Sequence, residues 1–256
     1  MKLHHHVVGQ GPPLLILHGL IGSLDNWMPH AQALASQFRV FLLDLRNHGR
    51  SPHAEDFTYD LMAEDVAGFI RAQNLAPIQL IGHSMGGKVA MRFAQLHPEL
   101  LHKLIIADMA PREYPPRYAE ILAAMHALDL GRFQQRSEVE TALLAAVPDK
   151  NIRQFLLKNL GRDETGKLRW KPNVAALRAN YHHIRCALPL SPPFGGPTLF
   201  IRGGQSDYIT DSDVPLIRQI FPAATLETIA AAGHWVHAEA PGEFIQITTN
   251  FLLAER

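Results

Sequence analysis

Short runs of branched apolar residues recur through the first 108 residues, each about the length of a strand: residues 14–17, 40–43, 78–81 and 104–107. Their near-continuous apolar character, without alternation, suits strands buried on both faces of a parallel sheet. Between them, residues 59–74 carry Leu61, Met62, Val66, Phe69 and Ile70 at helical spacing. After Ser84, Val89, Phe93 and Leu96 follow at i, i+4 and i+7, again a helix with one buried stripe. Strand–helix–strand alternation predicts an α/β fold: a mostly parallel central sheet with right-handed crossovers, flanked by helices. His4-His5-His6 falls in an edge strand ahead of this series.

The pattern then breaks. From Pro111 to Gly196 no strand of the earlier type appears, and helices are predicted over 117–128, 136–147, 150–160 and 174–184. Asp163-Glu164-Thr165-Gly166-Lys167 reads as a turn closing a short hairpin with 168–170. Pro115-Pro116 at one end and Pro189, Pro192-Pro193 and Gly195-Gly196 at the other punctuate the segment. At roughly 85 residues it is too long for a plain loop. The expected organisation is a core made of 1–110 and 197–256, with 111–196 inserted as a helical cap. In the second core part, a strand over 198–201, a helix over 214–221, a strand over 225–229 and a helix opening at Pro241 restore the alternation.

Composition narrows the function. The 256 residues carry 24 Lys and Arg against 24 Asp and Glu, so no net positive field invites nucleic acid. A single cysteine, Cys186, excludes an internal disulfide and cysteine-based metal spacing. The N-terminal residues lack the apolar core of a signal peptide, and no apolar run is long enough to span a membrane. These features predict a cytoplasmic protein. Adjacent strand side chains point to opposite faces, so His4-His5-His6 makes a poor metal site, and neither metal nor cofactor is expected.

The chemistry concentrates at Gly82-His83-Ser84-Met85-Gly86-Gly87, which follows one predicted strand and opens a helix. A G-x-S-x-G at that junction is a nucleophile elbow, a turn so sharp that side chains two residues either side of the serine would collide. It lifts Ser84 to the carboxyl end of the sheet, beside helix N-terminal amides that favour negative charge. Upstream, residues 14–17 run into His18-Gly19-Leu20, from which the Leu20 amide, with that of Met85, would form an oxyanion hole. His18 is expected to brace that loop. The order serine, acid, histidine requires a late base: His234 in Gly233-His234-Trp235 follows a predicted strand, with His237 as competitor. Gly233 gives the backbone freedom to swing the His234 ring inward. Two acids stand at strand ends: Asp108 after 104–107 and Asp207 after 198–201. Asp44-Leu45-Arg46-Asn47-His48-Gly49-Arg50-Ser51 is expected to be a hydrogen-bonded loop supporting the oxyanion loop, with a substrate contact by Arg46 or His48 as the alternative. Asp25-Asn26-Trp27 reads as a helix start capped by Asp25.

Taken together, His18-Gly19, Asp44-x-Arg46-Asn47-His48-Gly49-x-Ser51, Gly82-His83-Ser84-Met85-Gly86-Gly87-Lys88 and Gly233-His234-Trp235-Val236-His237 resemble the α/β-hydrolase superfamily. More narrowly, they are similar to the YbfF-type esterases and their mitochondrial ABHD relatives, across essentially the whole chain. The resemblance implies an α/β-hydrolase fold and a serine esterase of carboxylic esters, with acyl-CoA thioesters among the substrates of some members. It also tilts the triad acid toward Asp108, because the group does not always keep an acid matching Asp207. Both remain candidates.

The cap's apolar faces (Ile121, Leu122, Met125, Leu128, Phe155 and Leu156, with Trp170 and Trp235 nearby) suggest an acyl pocket, though most of these residues pack the cap onto the core and set no chain length; the expected ester has a short- to medium-chain acyl group. Trp235, His183 and Met125 are its candidate substrate contacts. The expected partner is a small-molecule ester, bound by a monomer or a homodimer. Serine at the nucleophile position excludes dehalogenases and epoxide hydrolases, which need aspartate there. A cofactor-free perhydrolase and a C–C bond hydrolase use the same triad, and a ligand receptor with vestigial turnover is the reading from another class.

Overall fold

The computed structural model describes residues 1–254. The elements run β1 (His5–Val8), β2 (Pro13–Leu17), α1 (Met28–Leu34), β3 (Arg39–Leu43), α2 (Tyr59–Ala72), β4 (Ile78–His83), α3 (Met85–Leu96) and β5 (Leu101–Ala107). Next come α4 (Ala119–Ala127), α5 (Arg136–Leu143), α6 (Lys150–Leu157), β6 (Leu160–Arg162), β7 (Leu168–Trp170), α7 (Val174–Ala179) and α8 (Tyr181–Arg185). The chain closes with β8 (Thr198–Gly203), α9 (Val214–Ile220), β9 (Ala224–Ile229), α10 (Val236–Glu239) and α11 (Pro241–Leu253).

Seven strands form one sheet in the order β1-β3-β2-β4-β5-β8-β9. Only the β1–β3 pair is antiparallel, at the edge occupied by the histidine run. The central strands are buried on both faces, as their unbroken apolar sequences require: Leu14, Leu15 and Leu17 are sealed, as are Leu104, Ile105 and Ile106. Side chains at alternate positions feed two cores. Leu15, Leu17 and Ile106 join one with α2 and α3, while Leu14, Ile16 and Ile105 join the other with Trp27 and Phe244.

β5 and β8 are neighbours in the sheet although 90 residues of chain position separate their ends (Ala107 to Thr198 being joined through α4–α8). Everything between them stands outside the main sheet. The β6–β7 pair is the hairpin expected there, its turn held by Asp163 Oδ1 accepting from the amides of Thr165 and Lys167 at 2.9 and 3.0 Å. The helix expected over 174–184 is broken in two. Asn180 turns its amide side chain back onto the carbonyls of Ala176 and Glu55, competing with the backbone for its own hydrogen bonds. Asp25 does not cap the helix start. Ser23 occupies that position, with its amide donating to Asn26 Oδ1, while Asp25 lies 3.7 Å from Lys171. No helix among the described residues is long and apolar enough to cross a membrane.

Candidate active site

The sheet register brings the chemistry together. β4 and β5 pair up to His83 and Ala107, and the ladder continues one step further as the Ser84 amide donates to the Ala107 carbonyl at 3.1 Å. One strand over, the Asp108 amide donates to the Ile201 carbonyl at 2.8 Å. Ser84 and Asp108 therefore leave adjacent strand ends, and both do so with positive φ, 54° and 48°. That conformation is costly for residues with a Cβ and concentrates at functional sites. The elbow closes because its flanking residues are glycine. A Cβ on Gly82 would lie 2.2 Å from the Gly86 carbonyl oxygen, and one on Gly86 would lie 2.5 Å from that of Leu17.

His234 bridges the two. Its Nε2 is 3.0 Å from Ser84 Oγ, and its Nδ1 is 2.8 Å from Asp108 Oδ2. A carboxylate only accepts, so Nδ1 carries the proton and Nε2 is left to accept from the serine hydroxyl. Asp108 is fully buried, and two further donors hold its carboxylate: the Gly203 amide at 3.0 Å on Oδ1 and the Ser206 hydroxyl on Oδ2. Asp207 is elsewhere. Its side chain is exposed and paired with Arg117, Oδ1 lying 2.6 Å from Nη1, and that guanidinium holds its carboxyl below the usual range. His237, the competing base, stacks on Trp27 at 4.2 Å, and burial pushes its pKa well down.

The loop after β2, expected to supply an oxyanion amide, is braced by histidines. His18 Nε2 accepts from the Leu45 amide at 3.1 Å, which leaves Nδ1–H to donate to the Gly19 carbonyl at 2.8 Å. His48 repeats the arrangement: Nε2 accepts from the Ile21 amide at 3.2 Å and Nδ1–H donates to the Arg46 carbonyl at 2.9 Å. Burial lowers their pKa values to about 4 and about 3, so both rings are neutral braces at physiological pH. Asp44 accepts from the amides of Leu24 and Arg50, tying the loop after β3 to the loop after β2. Arg46 points away from the site and donates to Asp65 at 2.5 Å. The Leu20 and Met85 backbones stand beside Ser84, Met85 as the first residue of α3, where helix amides lack intrahelical partners.

Four supports of the histidine have roles that no motif assigns, although one of them, His83, lies within Gly82-His83-Ser84. Tyr208 lies face to face with the His234 ring at 3.5 Å. His83 Nε2 is 2.9 Å from the His234 carbonyl, and burial lowers the His83 pKa to about 3. Glu239 accepts from the amides of Gly233 and Trp235 at 2.7 and 3.1 Å, clamping the backbone on both sides of the base. Ser206 is the fourth, through Asp108. Only the neighbourhood of the Gly-His and Gly-x-Ser motifs could have pointed to them.

A cleft of about 580 Å³ opens at Ser84, with His234 and Trp235 among its walls. It has the size of a small-molecule site. Two of the candidate substrate contacts lie outside it. Met125 is buried inside the β5–β8 insert, where its carbonyl accepts from Trp170 Nε1 at 3.0 Å, and His183 packs on His182 at 3.9 Å. Among the described residues no group of three or more His, Cys, Asp or Glu side chains is disposed to hold a metal ion.

Residues 12–147 match the family model described as alpha/beta hydrolase fold. The chain belongs to the α/β-hydrolase family. Among its relatives, mouse sn-1-specific diacylglycerol lipase ABHD11 is 37% identical over 249 residues, covering 94% of this chain and 81% of its own length. Esterase YbfF of Escherichia coli strain K12 is 35% identical over 241 residues, covering 94% and 92%. A solved structure of a marine microorganism esterase superposes with a TM-score of 0.95 at 46% identity, covering 98% of this chain and 99% of that one. The fold expected from the motifs, an α/β-hydrolase sheet flanked by helices, is the fold of this hydrolase, and these three similar proteins are two esterases and a lipase.

Proposed function

We propose that this α/β-hydrolase is a serine hydrolase of carboxylic esters, with Ser84 as nucleophile, His234 as base, Asp108 as orienting acid and residues 111–196 as the cap. The observation that carries the reading is the unbroken hydrogen-bond chain from Ser84 through His234 to a buried, triply held Asp108, at the mouth of a cleft. The ester chemistry named for ABHD11 and YbfF comes to this chain as part of the same proposal.

Ser84 Oγ attacks the acyl carbon as its proton passes to His234 Nε2. The imidazolium that forms is stabilised by Asp108. The tetrahedral oxyanion faces the amides of Leu20 and Met85, donors already fixed in place by the loop braces and the helix start, worth several kcal/mol in the barrier. His234 then protonates the leaving group, and water repeats the sequence on the acyl-enzyme. Thioesters such as acyl-CoA follow the same steps, with a thiol in place of the alcohol.

Fluorophosphonate labelling combined with p-nitrophenyl acetate hydrolysis tests the reading. Ser84 takes the label, and Ser84→Ala lowers kcat by at least about 10³-fold. Absence of both labelling and turnover would favour a ligand receptor on the same fold.

A further inference from the structure

Ser84 borders two cavities of unequal size. The larger is the cleft of about 580 Å³, lined beside the triad by Trp27, Phe155 and Trp235 and by the polar ends of Asn26, Gln154 and Lys158. The smaller, about 40 Å³, meets it at Ser84, Leu20 and Tyr118 and is lined further by Met85, Met109, Tyr59, Tyr181, Ile184 and Tyr208. At roughly 10–15 Å³ for each water-sized group, it accommodates about three such groups.

The small cavity is apolar despite its tyrosines. The Tyr59 hydroxyl donates to the Ile184 carbonyl at 2.6 Å, and the Tyr114 hydroxyl donates to the Tyr208 carbonyl at 2.6 Å. Arg117 is engaged by Asp207 and Arg185 by Glu113. The Tyr181 hydroxyl accepts from the Tyr118 amide at 2.9 Å, and most of the surface left to meet a ligand is ring face and methionine side chain.

Reaction geometry decides which part of an ester enters which cavity. The leaving oxygen has to reach His234 Nε2, and the water that replaces it has to approach from the same side. His234 borders the large cleft and is absent from the walls of the small one, whereas Met85, whose amide faces the oxyanion, borders only the small one. We propose that the small cavity holds the acyl group and the large cleft holds the alcohol, which makes the protein a hydrolase of short-acyl esters, two to three carbons long, of bulky alcohols. The proposal rests on the serine-hydrolase reading above. In acylation the Oγ–C bond forms, the C–O bond to the alcohol breaks, and the serine proton travels through His234 to the departing alcohol in the cleft. In deacylation water forms the new C–O bond, the Oγ–C bond breaks, and the proton returns to Ser84. The cap residues Gln154, Phe155 and Lys158 thereby shape the alcohol site and not the acyl site.

Two isomeric esters separate the orientations: octyl acetate, with a short acyl group, and methyl nonanoate, with a long one. The proposal expects octyl acetate to be favoured in kcat/KM by at least about tenfold, since one surplus methylene in an apolar pocket is discriminated by that order. Methyl nonanoate hydrolysed as fast or faster overturns the orientation while leaving the serine mechanism intact. Turnover of neither ester with Ser84 labelled by fluorophosphonate also overturns it; turnover of neither with Ser84 unlabelled overturns the serine-hydrolase reading itself. Enlarging the small cavity by Met109→Ala, or by Tyr181→Ala at a half-buried ring whose hydroxyl accepts from the Tyr118 amide, shifts the ratio toward methyl nonanoate by severalfold. An unchanged ratio in folded variants overturns the assignment of that cavity.

Discussion

Tyr208 lies flat against His234, ring centroids 3.5 Å apart and planes 15° from parallel. The far side of the arrangement belongs to the insert: the Arg117 guanidinium stands 4.8 Å from the centre of the Tyr208 ring and pairs with Asp207. An imidazole held by one hydrogen bond at each nitrogen still has freedom to tilt, and the stacked ring removes it. Aromatic pairs of this kind contribute about 0.5–1.5 kcal/mol beyond burial. Tyr208→Ala is therefore expected to lower kcat by roughly tenfold, while Tyr208→Phe, which keeps the ring, stays near wild type. Steady-state hydrolysis of p-nitrophenyl acetate measures both, and equal losses in the two variants would assign the effect to the hydroxyl.

Stability is expected to fall in acid because of the buried histidines. Burial holds His18 at about 4, and His48 and His83 at about 3, against 6.5 in the unfolded chain. Between those values the unfolded chain binds protons that the folded one refuses, so stability is fully present above about pH 6.5 and is lost as the pH falls toward 4. Each such histidine costs about 2 kcal/mol between about pH 7 and pH 5. Urea unfolding at the two pH values measures the loss, and His48→Gln should shrink it by about one histidine's share. A pH-independent midpoint would contradict this.

Lys88 ties the insert to α3, the helix that follows Ser84. It is fully buried, and its Nζ donates to the carbonyls of Arg112 at 2.7 Å and Cys186 at 2.5 Å, one on each chain crossing between core and insert. The rings of Tyr59 and Tyr114 flank the ammonium at 5.6 and 5.0 Å. Lys88→Met leaves those carbonyls without their donor, at a cost of about 2 kcal/mol. Thermal unfolding should move down by roughly 4–8 °C, and limited proteolysis should cut within 111–196 sooner than in wild type. Cleavage at the wild-type rate would show that the two crossings are held by other contacts.

Much of this was legible in the sequence, and the pattern of what was not is physical. The central strands announce themselves because burial on both faces leaves them no polar positions, as in residues 14–17 and 104–107. The elbow is legible because its glycines answer a steric demand that no other residue meets. Asp108 and Asp207 were harder to separate, since both follow strands whose ends face the same loop; Arg117, 90 residues from Asp207, decides where the second one points. Tyr208 and Glu239 act through stacking and backbone contacts formed only on folding, so they carry no spacing to read, while the elbow motif marks the place of His83 but not its bond to the His234 carbonyl. The break at Asn180 was missed because a side-chain amide can end a helix inside an otherwise continuous apolar stripe.

The central claim is that His234 is oriented by Asp108 and not by Asp207. Hydrolysis of p-nitrophenyl acetate by Asp108→Asn and Asp207→Asn, compared in kcat with folding checked by circular dichroism, tests it most directly. The account predicts a loss of about 10³–10⁴-fold in Asp108→Asn, because the histidine loses the partner that sets its tautomer, and only a few-fold change in Asp207→Asn. A large loss in Asp207→Asn with Asp108→Asn near wild type, or mild losses in both, would contradict it.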